Sequence, residues 1–511
     1  MSLIKSNIKG VDDSNYWVKS QVGAKFHDNL TVEKSSLGGL GLFYDGNEID
    51  QDTEILRISS DCTLSIHQCM KIMNSGVDDK GTFAKTFIQK CLDFYCNGKV
   101  TESRILICYC ISMEVLNRIE KLDSLKGTGF VRNYLKILLN TRVSNVDCDS
   151  LSLLEYYKEE FKGNSLFDSV YKQLINGDCE EFAKFIEVEA LENVYGEVIS
   201  AEEIQHLVTA IRSRILEIPR ETESEGDFTI DITLVPILDF ANHDNDKVNA
   251  YFDVDRVNGD IILKLDKDKI KGSKGKHEVL ISYSRIEDMN RFFLNYGFIP
   301  RSKGIKLIEI PFWGYYKDKE IPLNVTEILY KLQETPNLQF VVKTDEEGDV
   351  QDVKINMLDD YSFLTMANVQ WDKYFIEGEE EDEEEIVSTL MEKMSVDEIN
   401  VAMFKMMKLV NKYIKEYPSK LKNFLAIADE YELNLGETRN IVEMIKFEEQ
   451  IAEKFNAIYE KKKPQDAKDA FDMIVPPDEC DENWTKVRMY PIYNFEQELL
   501  DQQIKIEQMT L

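Results

Sequence analysis

Two tyrosines thirteen residues apart, Tyr283 and Tyr296, offer phenols that hydrogen-bond and orient a partner. The second opens the run Tyr296-Gly297-Phe298-Ile299-Pro300. Upstream, Asp239-Phe240-Ala241-Asn242-His243 supplies a carboxylate, an amide with two donors and an acceptor, and an imidazole. Arg212-Ser213-Arg214 adds guanidinium groups suited to charge-assisted bonds with a carboxylate. Near the start, Gly38-Gly39-Leu40-Gly41 is a tight turn whose bare backbone lets main-chain groups approach a ligand closely. Taken singly, each has a plainer reading: a strand tyrosine packs in a core, a histidine is structurally satisfied, and a glycine run merely turns the chain. The turn is not a dinucleotide fingerprint, because the third glycine is missing and Phe43-Tyr44-Asp45-Gly46 reads as strand and turn, not as the opening of a helix. Gly272–Lys276 has the wrong spacing for a phosphate-binding loop.

The elements that must position these groups belong to a chain of 511 residues, long enough for two or three domains. Apolar residues make up 43% and aromatics 10%, ordinary for a globular protein. No apolar run reaches the ~18 residues of a membrane span, and the N-terminus lacks the order of a secretory signal, so cytosol or nucleus is the expected address. Sixty-one Lys and Arg against 94 Asp and Glu give a net charge of −33. That surface repels phosphate backbones and attracts basic proteins, so no direct nucleic-acid binding is expected. Nine Cys without a Cys-x-x-Cys pair, and five scattered His, argue against a zinc site and for reduced thiols.

Short helical patterning at 12–26 precedes the glycine turn, and a strand follows around Glu54–Ile58. Apolar residues then recur at three and four through Arg104–Ile119, Arg132–Leu139 and Glu180–Leu191. Strand character returns in Phe228–Phe240, Ala250–Val254, Ile261–Leu265 and Glu278–Tyr283. Lys264–His277 reads as a solvated hairpin tip. Beyond about 320 the pattern is mostly helical, with Ile441, Met444, Ile445, Ile451, Phe455 and Ile458 on one face. Glu377–Glu385, eight acidic residues in nine, is read as a solvated linker, with a lure for a Lys-rich target as the alternative.

Read together, the glycine turn, Arg212-Ser213-Arg214, Asp239-x-x-Asn242-His243 and the tyrosine pair ending in Tyr-Gly-Phe-Ile resemble the SET-domain protein methyltransferases. More closely, the set is similar to the subgroup typified by the Rubisco large-subunit lysine methyltransferase and fungal relatives acting on translation proteins. The resemblance covers roughly 12–300. It implies an α+β fold: a SET β core split between 1–65 and 206–300 by a helical insert at 66–205, then an all-helical substrate-binding domain at 301–511 carrying the acidic run 377–385. It implies S-adenosylmethionine as methyl donor, no metal, and a monomer that methylates lysine on a basic protein such as a ribosomal protein or elongation factor.

By the same resemblance, Tyr283 is the catalytic tyrosine and Tyr296 lines the same cavity. Gly39, Leu40, Gly41, Arg214, Asn242, His243 and Phe298 would bind the cofactor. Ser213, Asp239 and Tyr251 would line the lysine channel. The chain departs from the pattern at Gly38, where relatives carry an acidic residue, and after the tyrosine, at Ser284 and Asp288-Met289. The rival readings are an inactive SET-fold module that holds a basic partner, and methylation of histidine.

Overall fold

The computed structural model describes residues 2–46, 51–76, 79–97, 101–141, 177–221, 228–270, 274–311, 337–356, 393–430 and 439–464, apart from a few single positions, together with Met473. The acidic run 377–385 lies outside the described residues, as do 271–273 of the Lys/Gly-rich connection. The chain divides into two compact units, and the architecture is mixed α+β.

The first unit comprises Met1–Leu151, Lys172–Arg285 and Asn295–Gly297. Its early strands are Lys25–Phe26 (β1), Leu30–Lys34 (β2), Leu40–Asp45 (β3), Thr53–Ile58 (β4) and Leu64–Ser65 (β5). Helices follow at Ile66–Met73, Asp79–Tyr95, Glu102–Arg118, Val131–Leu139, Gly177–Phe185 and Ala201–Arg212. Their starts are written in the sequence. Ser65 and Thr101 accept from Gln68 and Arg104 backbone N–H groups, and Ser200 with Glu203 forms a reciprocal capping box. The later strands are Ile215–Glu221 (β6), Phe228–Leu234 (β7), Asn242–His243 (β8), Ala250–Val254 (β9), Ile261–Leu265 (β10), Lys276–Glu278 (β11) and Leu280–Ile281 (β12).

These strands form small sheets in the orders β1-β4-β10-β9, β11-β3-β2, β5-β7-β6 and β12-β8. Each of the first three joins an early strand to a late one, so the N-terminal turn and the late motifs are brought together by pairing across the helical stretch. The helices share one continuous hydrophobic core with the strands. Trp17 sits in it, donating from Nε1 to the Phe130 carbonyl (3.0 Å) and stacking on Tyr134 at 6.4 Å. Two expected strands end early. The 228–240 segment stops at Leu234, since Pro236 cannot donate to a ladder and Ile237 takes φ 75°. The 278–283 segment breaks into β11 and β12, leaving Tyr283 beyond a strand end.

The second unit includes Ile286–Leu294 and Phe298–Leu511. Here the all-helical expectation for 301–511 is corrected. Glu287–Asp288 (β13), Gly304–Pro311 (β14), Asn337–Thr344 (β15) and Val350–Asn356 (β16) form a sheet in that order, antiparallel from β14 onward. The physical reason is period-two alternation: Phe340, Val342 and Thr344 are buried while Val341 and Lys343 are not. Val396–Glu430 and Arg439–Lys462 are long helices, and Phe455 of the second meets Phe340 of β15 edge-on at 5.6 Å. Met444, Ile445, Ile451 and Phe455 are buried, as the apolar face anticipates. Among the described residues no helix is long and apolar enough to cross a membrane.

One buried carboxyl in this unit has a measurable consequence. Glu448 is fully buried between the long helices and accepts from the Tyr417 hydroxyl (2.6 Å), while its Oε1 has no partner among the described residues. Burial pushes its pKa from 4.5 to about 7, against the weaker opposing effect of the Tyr417 bond. The folded state therefore binds more protons than the unfolded state between these values. The contribution of this group to stability is fullest below about pH 4.5 and declines as pH rises through about 7. Glu448→Gln, which keeps an acceptor for Tyr417, is expected to remove that decline and to gain on the order of 3 kcal/mol at alkaline pH. Urea midpoints at acidic and alkaline pH check this, and parallel profiles for the two proteins would contradict it.

Candidate active site

The site grows from the parallel pairing of β8 with β12, which sets Asn242 opposite Leu280 and His243 opposite Ile281. The segment carrying Tyr283 is then pegged by side chains from 242–249. Asn249 donates to the Glu278 carbonyl (2.8 Å) and accepts from the Leu280 amide (2.9 Å). Asn245 accepts from the Ser282 hydroxyl (2.6 Å) and donates to the Ser284 carbonyl (2.9 Å). The Tyr283 amide donates to His243 Nδ1 (2.9 Å), which makes that nitrogen the acceptor. His243 thus acts through its ring on the backbone of Tyr283, and the two rings lie 5.1 Å apart.

The Tyr283 hydroxyl donates to the Ala241 carbonyl (2.8 Å), and its ring meets that of Tyr296 at 4.9 Å, tilted by 45°. Burial, then the neighbouring Tyr296, push the Tyr283 phenol well above its ordinary range, so it stays protonated. It is a fixed hydroxyl, not a base. Gly297 takes φ +74°, a left-handed turn that a residue with a side chain enters only with strain, and it carries the chain away just after Tyr296.

The early turn reaches the same corner through Gly41 and Leu40. Asn242 Nδ2 donates to Glu278 Oε1 (2.7 Å) and, at 3.4 Å, to the Leu40 carbonyl. A Cβ at Gly41 would lie 2.4 Å from Glu278 Oε1 and 3.0 Å from Asn242 Nδ2, so glycine here leaves the room in which those two side chains meet. A Cβ at Gly39 would meet nothing within 4 Å. The exposed turn therefore presents its backbone to open space.

Behind the tyrosines lies a buried polar group. Asp239 Oδ2 accepts from Arg214 Nη1 and from the Tyr134 hydroxyl, each at 2.9 Å, and its side chain is 0% exposed. Burial opposes the Arg214 charge, but Asp239 and then Tyr134 outweigh it and raise the guanidinium pKa. Arg214 Nε and Asp239 Oδ1 are buried without partners among the described residues. The preceding Ile237 is a buried β-branched residue at φ 75°, local strain of about 1–3 kcal/mol beside the site.

The residues anticipated from sequence thus fall into two groups. Tyr283, Tyr296, Asn242, His243, Leu40 and Gly41 meet at one corner, with Gly39 in the adjoining turn. Arg214 and Asp239, expected to bind the cofactor and to line the lysine channel, form an ion pair with each other. Ser213 caps its helix, donating from Oγ to the Ala210 carbonyl (2.9 Å). Tyr251 is exposed on β9, with its hydroxyl on Asp52 (2.7 Å). Phe298 belongs to the second unit, where it packs edge-on against Phe292 at 5.6 Å. Glu278, Tyr134, Asn245 and Asn249 went unnoticed in the sequence. For the asparagines the signal was present, since Asn242, Asn245 and Asn249 recur at three and four along a turn-rich segment.

The corner suits a ligand with an ammonium group near an apolar wall. It offers the amide oxygen of Asn242, a carboxylate at Glu278, bare backbone at the glycine turn and two aromatic rings. That donor and acceptor set fits the amino-acid end of S-adenosylmethionine.

A family model described as cytochrome c lysine N-methyltransferase 1 matches residues 11–472. Curated proteins of that name are similar to this chain. The one from Kluyveromyces lactis is 28% identical over 343 residues, covering 62% of this chain and 63% of the relative. Those from Eremothecium gossypii and Saccharomyces cerevisiae are each 29% identical, over 316 and 302 residues, covering 58% and 54% of this chain and 61% and 47% of the relatives. The matched stretch spans less than two thirds of each relative's length. Their names specify cytochrome c, not a ribosomal protein or an elongation factor. With most of its length under that family model, the chain belongs to the cytochrome c lysine N-methyltransferase 1 family.

Proposed function

We propose that the protein transfers a methyl group from S-adenosylmethionine to a lysine side chain of cytochrome c, using a SET-type corner built from 39–41, 242–243, 283 and 296. Cytochrome c replaces the translational substrates anticipated from sequence, because it is the substrate that the relatives' names carry. The observation that carries the reading is the Tyr283–Tyr296 pair, 4.9 Å apart, with the Tyr283 hydroxyl pinned on the Ala241 carbonyl. The net charge of −33 favours a Lys-rich partner. Cys62, Cys69, Cys91, Cys96, Cys108 and Cys110 are free thiols, in keeping with the cytosol or nucleus as its compartment.

When bound, S-adenosylmethionine supplies an electrophilic methyl and a positive charge. Lysine has pKa ~10.4, so only about a thousandth is neutral at physiological pH. Burial against the tyrosine rings disfavours the ammonium and helps the amine lose its proton. Tyr283, fixed as a donor to Ala241, keeps its oxygen lone pairs for an amine N–H and so orients the nitrogen. Tyr296 packs against the Tyr283 ring and adds apolar wall beside it. Asn242 and the glycine turn hold the amino-acid end, leaving alignment as the main contribution of the protein.

Replacing Tyr283→Phe removes the orienting oxygen and keeps the ring. Turnover is expected to fall on the order of 10²-fold while cofactor affinity stays within about threefold. Isothermal titration beside a radiolabel transfer assay measures both quantities. Unchanged turnover would refute the role given to Tyr283, and absence of cofactor binding in the unsubstituted protein would favour a binding module instead.

A further inference from the structure

Asn242 Nδ2 has two neighbours, and both are obligate acceptors: the Glu278 carboxylate at 2.7 Å and the Leu40 carbonyl at 3.4 Å. An amide flipped end for end would press its oxygen against both. The orientation of Asn242 is therefore dictated, with Oδ1 directed away from Glu278, and Oδ1 has no protein donor among the described residues. Gly41 contributes by its missing side chain, since a Cβ there would occupy the place of Glu278 Oε1. Glu278 is itself held by its backbone, whose carbonyl accepts from Asn249 Nδ2 at 2.8 Å.

We infer that Glu278 is a positioning residue that locks the Asn242 amide with its oxygen outward, so that the corner recognises the ammonium of the methyl donor's amino-acid end. The inference rests on the methyl-donor reading above and adds a specificity element to it. Glu278 does not touch the reacting atoms. It acts through Asn242, and a carboxamide at 278 retains the needed acceptor. Without an acceptor at 278, only the longer 3.4 Å contact with the Leu40 carbonyl still orients the Asn242 amide, and its hold on the outward oxygen is weakened.

The test compares two nucleosides that differ in the recognised group. S-adenosylhomocysteine carries the amino-acid end, and methylthioadenosine lacks it. The unsubstituted protein is expected to bind the first more tightly. In Glu278→Ala, affinity for S-adenosylhomocysteine should fall about tenfold, in line with loss of one charge-assisted bond, while methylthioadenosine binds as before. Glu278→Gln should restore the difference, and the KM for the methyl donor should rise in the alanine variant with kcat largely kept. Equal weakening of both nucleosides would mean local collapse and overturn the inference. So would no change for either, or a glutamine variant no better than alanine. If the unsubstituted protein binds neither nucleoside, the methyl-donor reading itself has failed, a result distinct from each of these.

Discussion

Asp239→Ala is expected to destabilise the first unit by about 3–5 kcal/mol, because it leaves the Arg214 guanidinium and the Tyr134 hydroxyl buried without their shared acceptor. The carboxylate is fully enclosed, so solvent cannot stand in for it. Amide hydrogen exchange in the Val131–Leu139 helix reads the effect, with protection falling more than a hundredfold. The comparison that isolates the cause replaces the whole group: Asp239→Leu, Arg214→Met and Tyr134→Phe together remove every charge and hydroxyl involved. Buried ion pairs exchanged for apolar residues are often neutral, so the triple variant is expected to be more stable than Asp239→Ala alone. A loss below about 1 kcal/mol in the alanine variant would contradict the assignment.

Gly41→Val should separate function from folding. The added Cβ collides with Glu278 Oε1 at 2.4 Å, but that atom ends a flexible side chain on the half-buried edge of β11 and can swing aside. The fold is therefore expected to survive with a loss near 1 kcal/mol. The corner is not. Displacing Glu278 frees the Asn242 amide, and the branched side chain narrows the space beside it, so kcat/KM for the methyl donor should drop about 100-fold or more. Thermal unfolding beside steady-state kinetics distinguishes the two effects. Wild-type kinetics in a folded variant would show that the β3–β11 contact does not shape the site.

The corner was legible in the sequence because its residues cluster in motifs. Tyr283, Tyr296, Asn242, His243 and the glycine turn are close in space, joined by the β8–β12 pairing and by the Asn242 bond to Leu40. What escaped lies in single residues whose partners are distant in the chain. Tyr134 is one buried position in a helix with an ordinary apolar period, and its role depends on Asp239, 105 residues away. Glu278 reads as one more charge in a Lys-rich stretch until β11 is set beside β3. The pairing of Arg214 with Asp239 is a further case, because sequence shows charge but not which charges burial brings together. The second sheet was missed for a different reason. Alternation through Phe340, Val342 and Thr344 spans only a short strand, and it was outweighed by the longer helical pattern that follows.

The most direct test is incubation of the purified protein with methyl-labelled S-adenosylmethionine and unmethylated cytochrome c, followed by peptide mass spectrometry. Label is expected on a lysine of cytochrome c, suppressed by excess S-adenosylhomocysteine. Cofactor binding without transfer, or label on a histidine, would contradict it.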